Sequence, residues 1–308
     1  MPRDLRELPK LRDGLSYLYV ERCRIEQDEF SIMLVDKEGR TPVPCASLGV
    51  LMLGPGTTVT HAAISALADN GCSTIWCGEE GVRFYAAGLG ETRKALRLMH
   101  QARCVCNDDL RREVAWRMYE LRFGYRLTEE DGDISLNTLR GMEGARMRDA
   151  YAGAAEEYGV RWTGRRYTRR DWHKADPINR ALSAASACLY GVCHAAVVSS
   201  GYSPALGFMH TGKQLSFVYD VADLYKTEIT LPLAFRITAE SPKDVEARVR
   251  HAARDALREK RLLARIVEEM DALLDLPDEP EGAVGDVDSD PAMPAALWEA
   301  LWAEMKEP

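Results

Sequence analysis

Near residue 90 the chain changes from short runs of β-branched, aromatic and aliphatic residues to apolar residues at three- and four-residue spacing, and that switch orders the secondary structure along the chain. Upstream, LSYLYVE (15–21), EFSIMLV (29–35) and SLGVLML (47–53) are rich in β-branched, aromatic and aliphatic residues. Turn formers separate them, at Gln27-Asp28 and Lys37-Glu38-Gly39. STIWC (73–77) and VRFYAA (82–87) read as two further strands. HAAISALADN (61–70) reads as a helix between them, with Thr60 as its N-cap and Gly71 just past its end.

From Glu91 onward the texture is helical. Over residues 91–123, apolar positions recur at three- and four-residue spacing, at Leu96, Met99, Val105, Leu110, Val114, Met118 and Leu121. Ser135 is placed to cap a second helix that runs through Leu139, Met142 and Met147 to Tyr158. A third, Ile178 to Ser199, is rich in small apolar residues and belongs deep in the core. A long amphipathic helix covers 241–275. The expected fold class is therefore α+β: a small β-rich N-terminal domain (1–90), then a larger all-helical C-terminal domain (91–275). Residues 276–308 read as an acidic Pro, Gly and Asp linker with an amphipathic tail. Leu297, Trp298, Leu301, Trp302 and Met305 form its stripe, which docks on a partner or folds back on the helical domain.

The net charge of −8 argues against nucleic acid only until it is located. Residues 267–308 hold thirteen acids and one base, a net of −12, so residues 1–266 carry +4. Contact with DNA depends on local basic patches. The densest is RWTGRRYTRRDWHK (161–174), with six Lys or Arg against one Asp and with Trp162, Tyr167 and Trp172 interleaved. That pattern suits a surface that tracks phosphates and stacks on splayed bases, or a plain solvated loop. The eight cysteines show no paired CxxC zinc pattern and read as reduced thiols. No secretory signal opens the chain, and no stretch approaches the about eighteen apolar residues of a membrane helix, so the expected location is cytoplasmic, with no membrane partner.

Three polar features interrupt the helical half. Glu143 lies mid-helix in RGMEGARMR between Gly141 and Gly144, which suggests a close backbone approach there. His210 stands in the glycine-containing turn GFMHTGK, and Asp220 and Asp223 lie three apart in LSFVYDVADLYK, on one helix face. A Glu, a His and one or two Asp match the ligand set of a Mg2+ or Mn2+ site acting on phosphodiesters. Taken alone, an Asp pair on a helix is usually a solvated face and a lone His usually a satisfied structural residue.

These residues lie in longer stretches that resemble a known family. PGTTVTHAA, GVRFYAAG, LRGMEGARMR, GRRYTRRDW, NRALSAASACLYGV, GYSPALGFMHTGK and LSFVYDVADLYK together are similar to the CRISPR-associated integrase of the adaptation complex, in its subtype I-E form. The resemblance covers about residues 15–275. It implies a β-rich domain through which two chains dimerise, and a helical domain whose metal ligands fall here on Glu143, His210 and Asp223. Asp220 then supports the site as a nearby acid. It further implies joining of the 3′-hydroxyl ends of a double-stranded DNA fragment into a repeat array, within a heterohexamer containing the second adaptation protein. Tyr167, Tyr190, Lys213 and Tyr219 correspond to a pocket that reads the incoming DNA. Arg83 matches a backbone contact, and Arg146 is placed to pair with Glu143 or hold a phosphate; Arg165, Arg166, Arg169 and Arg170 supply the basic patch. Arg22 stands where such relatives carry a Tyr that wedges the duplex end, which shifts that task to a neighbour such as Tyr19 or leaves it vacant. A metal-dependent endonuclease on branched DNA would use the same ligands with water as nucleophile. A non-catalytic DNA-binding scaffold would need neither Mg2+ nor Glu143.

Overall fold

The computed structural model describes residues 17–28, 31–45, 48–81, 83–88, 95–124, 134–166 and 175–277. Strands occupy its first part and helices the rest, the α+β order that the apolar spacing predicts. β1 (Tyr17–Val20), β5 (Val50–Leu53) and β7 (Ser73–Cys77) run parallel, and β8 (Phe84–Gly88) joins antiparallel in the order β1-β5-β7-β8. All four residues of β5 are buried, as expected of a central parallel strand covered on both faces.

A second sheet has the order β4-β3-β2-β6, built from β2 (Arg24–Asp28), β3 (Ser31–Val35), β4 (Arg40–Pro44) and the short β6 (Thr58–Val59). Here β2, β4 and β6 add to the five strands that composition suggests. RIEQD and RTPVP are too polar to announce themselves; their ladder partners on β3 make them strands. Pro42 and Pro44 are tolerated because β4 is an edge. The helix α1 (His61–Asp69) is capped by Thr60, as read, and buries Ala63, Ala66 and Leu67 in a core shared with Ile25, Ile32 and Leu53.

Two helices read as continuous are each broken. The stripe over 91–123 becomes α2 (Leu96–Cys106) and α3 (Asp108–Phe123), because the Asn107 side chain accepts from Asp109 N and Leu110 N and starts a new helix. The stretch 241–275 becomes α8 (Val245–Glu259) and α9 (Leu262–Leu274), with Arg261 at φ +46° between them. α4 (Leu136–Tyr158) starts at Ser135 as predicted, its hydroxyl accepting from Thr138 N. α6 (Ser216–Tyr225), a single π-helical turn (Lys226–Thr230) and α7 (Leu231–Glu240) follow one another; α7 has no counterpart in the sequence reading.

α5 (Pro177–Ser200) is the hub of the helical half, packing against α6, α7, α8 and α9. Contrary to expectation, its 24 residues are long and apolar enough, by length and composition, to cross a membrane. They lie mostly inside the fold, where Ala181, Ala185, Ala195 and Ala196 let neighbouring helices approach closely. α5 also joins the two halves. A Cβ on Gly191 would lie 2.7 Å from the Gly81 carbonyl oxygen, so only glycine permits that approach. One turn on, His194 stacks on Phe84 of β8 with ring centroids 3.5 Å apart. All eight cysteines are free, and only Cys106 is exposed.

Candidate active site at the junction of α3, α4 and α6

Asp220 and Asp223 sit one helical turn apart on α6, whose N-terminal side follows the loop carrying His210. Asp220 is buried and organises that loop. Its carboxylate accepts from the backbone N–H groups of Phe208 (2.6 Å), Met209 (3.1 Å) and His210 (2.9 Å). The same carboxylate lies 2.7 Å from His210 Nδ1. With Nδ1 engaged, Nε2 is the imidazole nitrogen turned to the site. The Asp220 hydrogen bond raises the His210 pKa above its ordinary value; burial opposes this, and the charges of Asp220, Asp223 and Glu143 add to it. Gly207 permits the turn, since a Cβ there would meet the His210 carbonyl oxygen and the Ser216 backbone.

Glu143 on α4, Asp223 on α6 and His210 converge on one small cavity of about 20 Å³, which Asp220, Arg122 and Tyr119 also line. The three ligand candidates, scattered over eighty residues of sequence, are thus brought together. Two cations stand among them. Arg122, on the last turn of α3 and only 6% exposed, pairs with Glu143 Oε1 and reaches Asp223 Oδ2 at 3.5 Å. Lys226 pairs with Asp223 Oδ1 and lies over the Tyr190 ring, 5.1 Å from its centroid. Burial acts to lower the Lys226 pKa, but Asp223 and Tyr190 outweigh it and hold the ammonium above its usual range.

One imidazole and two carboxylates are the donor set a Mg2+ or Mn2+ ion takes. Asp223 Oδ1 is buried against the Lys226 ammonium, and a carboxylate oxygen carries two lone pairs, so it keeps acceptor capacity for an ion. The residues fit such an ion in chemistry and convergence. Among the described residues no three His, Cys, Asp or Glu are already drawn together as an ion site, and Arg122 and Lys226 engage the carboxylates.

Of the residues expected at DNA, Tyr190 and Tyr219 flank the site. Their rings meet edge to face at 5.2 Å, and Tyr219 lies 5.9 Å from the His210 ring. Lys213 is exposed in the loop leading into α6. Arg83 is exposed at φ +79°, beside the Gly191 contact. Arg146 lies over the rings of Tyr119 and Phe123. Arg165 is tied to α5, donating to Asn179 O, Asn179 Oδ1 and Ser183 Oγ, whereas the Arg166 side chain is exposed. Trp162 gives one face to its own chain, stacking on Tyr151 at 4.7 Å and meeting Phe235 edge to face. Tyr167, Arg169, Arg170, Trp172 and the tail from 278 onward lie outside the described residues. The close approach expected at Gly141 and Gly144 does not occur among the described residues: a Cβ on Gly141 meets nothing there, and one on Gly144 only an Arg148 nitrogen at 3.9 Å. Arg122 and Lys226 escaped the sequence reading, Lys226 although it ends the LSFVYDVADLYK stretch and Arg122 because a cation in a last helical turn is ordinary.

Residues 122–244 match the sequence model of the family described as CRISPR associated protein Cas1. The chain is 53% identical over 300 residues to the CRISPR-associated endonuclease Cas1 2 of Thermus thermophilus, covering 96% of this chain and 90% of that one. It is 44% identical over 271 residues to the CRISPR-associated endonuclease Cas1 of Geobacter sulfurreducens, covering 88% and 87%. Among solved structures it is similar to the crystal structure of the TtCas1–DNA complex, with a TM-score of 0.78 and 54% identity, over 87% of this chain and 99% of that one.

Proposed function

The chain belongs to the CRISPR associated protein Cas1 family, and from that premise we propose that it is a divalent-metal-dependent DNA integrase that joins the 3′-hydroxyl ends of a double-stranded DNA fragment into a CRISPR repeat array. The observation that carries this reading is the convergence of Glu143, His210 and Asp223 on one cavity, with Asp220 orienting the imidazole. That the relatives are named endonucleases supports a nuclease, and integration is the finer reading.

Glu143, Asp223 and His210 Nε2 would hold Mg2+ or Mn2+. Such an ion supplies charge for the non-bridging phosphate oxygens and acidifies the attacking hydroxyl. In the transfer, the fragment's 3′-oxygen forms a bond to phosphorus at the repeat edge as the bond from that phosphorus to the repeat strand's 3′-oxygen breaks. The hydroxyl proton leaves with the departing oxygen. One phosphodiester replaces another, so no ATP is required. Asp220 holds His210 in one tautomer, while exposed Lys213 of the loop before α6 and the Tyr190–Tyr219 pair would receive the DNA. A homodimer clamping the second adaptation protein is the assembly this reading entails.

The test supplies the full-length protein and its adaptation partner with a 3′-hydroxyl duplex and a supercoiled repeat plasmid. Joined product in Mg2+ or Mn2+, absent in EDTA and with Asp223→Ala, supports integration. Cleaved but unjoined DNA points instead to an endonuclease on branched DNA. Joining that survives EDTA sinks the proposal.

A further inference from the structure

Arg122 occupies the space that an ion would need. Its Nη1 is shared between Glu143 on α4 and Asp223 on α6, so its guanidinium lies between two of the three ligand candidates. The cavity at this point has room for little more than one water. An ion and the guanidinium therefore compete for the same volume and the same oxygens.

The guanidinium is also poorly satisfied where it is. It carries five donors. Nε is buried with no hydrogen-bond partner, and Nη2 faces Met147 Sδ at 3.0 Å, a weak acceptor. The side chain has a place to go. It already lies over the Phe123 ring, 5.0 Å from the centroid, and it springs from the last turn of α3, where the helix dipole favours a cation. Lys226 differs, since its ammonium sits on the other oxygen of Asp223 and is held there by the Tyr190 ring.

We propose that Arg122 is the internal counterion of the metal site: it holds Glu143 and Asp223 together before a divalent cation enters, and the cation displaces it from both as it binds. Arg122 is thus a positioning residue that keeps two like charges apart from one another's repulsion in the ion-free protein and sets the ion concentration at which the site closes. This rests on the reading of Glu143, His210 and Asp223 as ion ligands. Without the guanidinium, Glu143 loses its cation and Asp223 keeps only Lys226, so the repulsion between the two carboxylates is left for an ion to relieve, and removal of Arg122 tightens ion binding while it weakens the ion-free fold.

The probe is Mn2+ alone, titrated calorimetrically into the full-length protein without DNA, together with melting temperatures with and without Mn2+. Arg122→Gln is expected to bind Mn2+ at least about tenfold tighter than the unaltered protein, which is about 1.4 kcal/mol. It should also melt lower without the ion and show a larger Mn2+-induced rise. Arg122→Lys, which keeps the charge with a smaller reach, should fall between. If Arg122→Gln folds and binds Mn2+ no more tightly, the counterion role is overturned. If Arg122→Gln does not fold, Arg122→Lys decides: tighter binding supports the role and equal or weaker binding overturns it. If the unaltered protein binds no Mn2+ at all, the metal reading falls and this role with it; binding that Arg122 does not alter removes this role alone.

Discussion

His210 Nδ1 lies 2.7 Å from Asp220 Oδ1, and the same carboxylate receives the three backbone N–H groups of residues 208–210. One buried acid thus shapes the loop and aims the imidazole carried on it. Partners of this kind fix a ligating histidine's tautomer, and their loss typically weakens metal affinity by about 10–100-fold.

Asp220→Asn is therefore expected to weaken Mn2+ binding within that range and to lower stability by about 1.5–3 kcal/mol, since an amide cannot accept from all four donors. The pH dependence has a definite sign. The His210 pKa is raised above 6.5, first by the Asp220 hydrogen bond. Its stabilising contribution is full below 6.5 and is lost as pH rises through the raised value. Ion binding needs the neutral ring, so it strengthens over the same window. Melting curves with and without Mn2+ between about pH 6 and 9 should show the Mn2+-induced rise growing with pH, and the Asn variant should shift that window downward. A rise independent of pH would remove His210 from the ligand set.

The junction of strands and helices carries its own pH response. Burial lowers the His194 pKa to about 4, and its ring stacks on Phe84. A folded pKa below the unfolded 6.5 means that the unfolded chain takes up the proton first, so stability falls as pH drops below 6.5. From those two values the loss is about 2 kcal/mol at pH 5 relative to pH 8. His194→Phe keeps a ring on Phe84 but cannot titrate. Its urea stability should vary less between pH 8 and pH 5 than that of the unaltered protein, by about that amount. Equal slopes for the two proteins would show that His194 is not the group responsible.

How much of this was legible depends on how local each cause is. The spacing switch near residue 90, the Thr60 and Ser135 caps and the depth of α5 are properties of neighbouring residues, and the structure agrees with each. The strands β2 and β4 were not legible because their pairing with β3, not their composition, makes them strands. The break at Asn107 was legible in principle, since an Asn followed by two Asp is a helix start; an unbroken apolar stripe outweighed it. At the site, the ligand types were readable and their convergence was not. The Arg122 bridge crosses 21 residues to Glu143 and 101 to Asp223. Likewise Arg97 clamps Asp271 with two hydrogen bonds across 174 residues. No periodicity encodes such a pairing. Trp162 shows the reverse case: an aromatic among arginines suits a base platform or a solvated loop equally well, and instead it stacks on Tyr151 and meets Phe235 edge to face.

The basic segment divides into residues with different work, and that division is testable. Arg165 donates to Asn179 O, Asn179 Oδ1 and Ser183 Oγ, at 2.8 to 3.0 Å. Asn179 in turn accepts from Arg166 N, donates to Gly164 O and Asp176, and sits in the first turn of α5. Arg165 thus anchors its loop to the hub helix, while the neighbouring Arg166 side chain remains exposed. Hydrogen bonds from a charged group are worth about 1.5–3 kcal/mol each when shielded, and solvent exposure reduces that. Arg165→Ala should accordingly lower stability by about 1–2 kcal/mol in all. The slope of log affinity for duplex DNA against log salt should change little, because a guanidinium held by its own chain releases few counterions. Arg166→Ala should do the opposite: the melting temperature stays, and the salt slope falls by about one unit for the lost phosphate contact. Fluorescence anisotropy of labelled duplex over a salt series, paired with thermal melts, reads both quantities. If Arg165→Ala flattens the salt slope more than Arg166→Ala does, the guanidinium leaves α5 to meet the phosphates, and the division drawn from the hydrogen bonds is wrong.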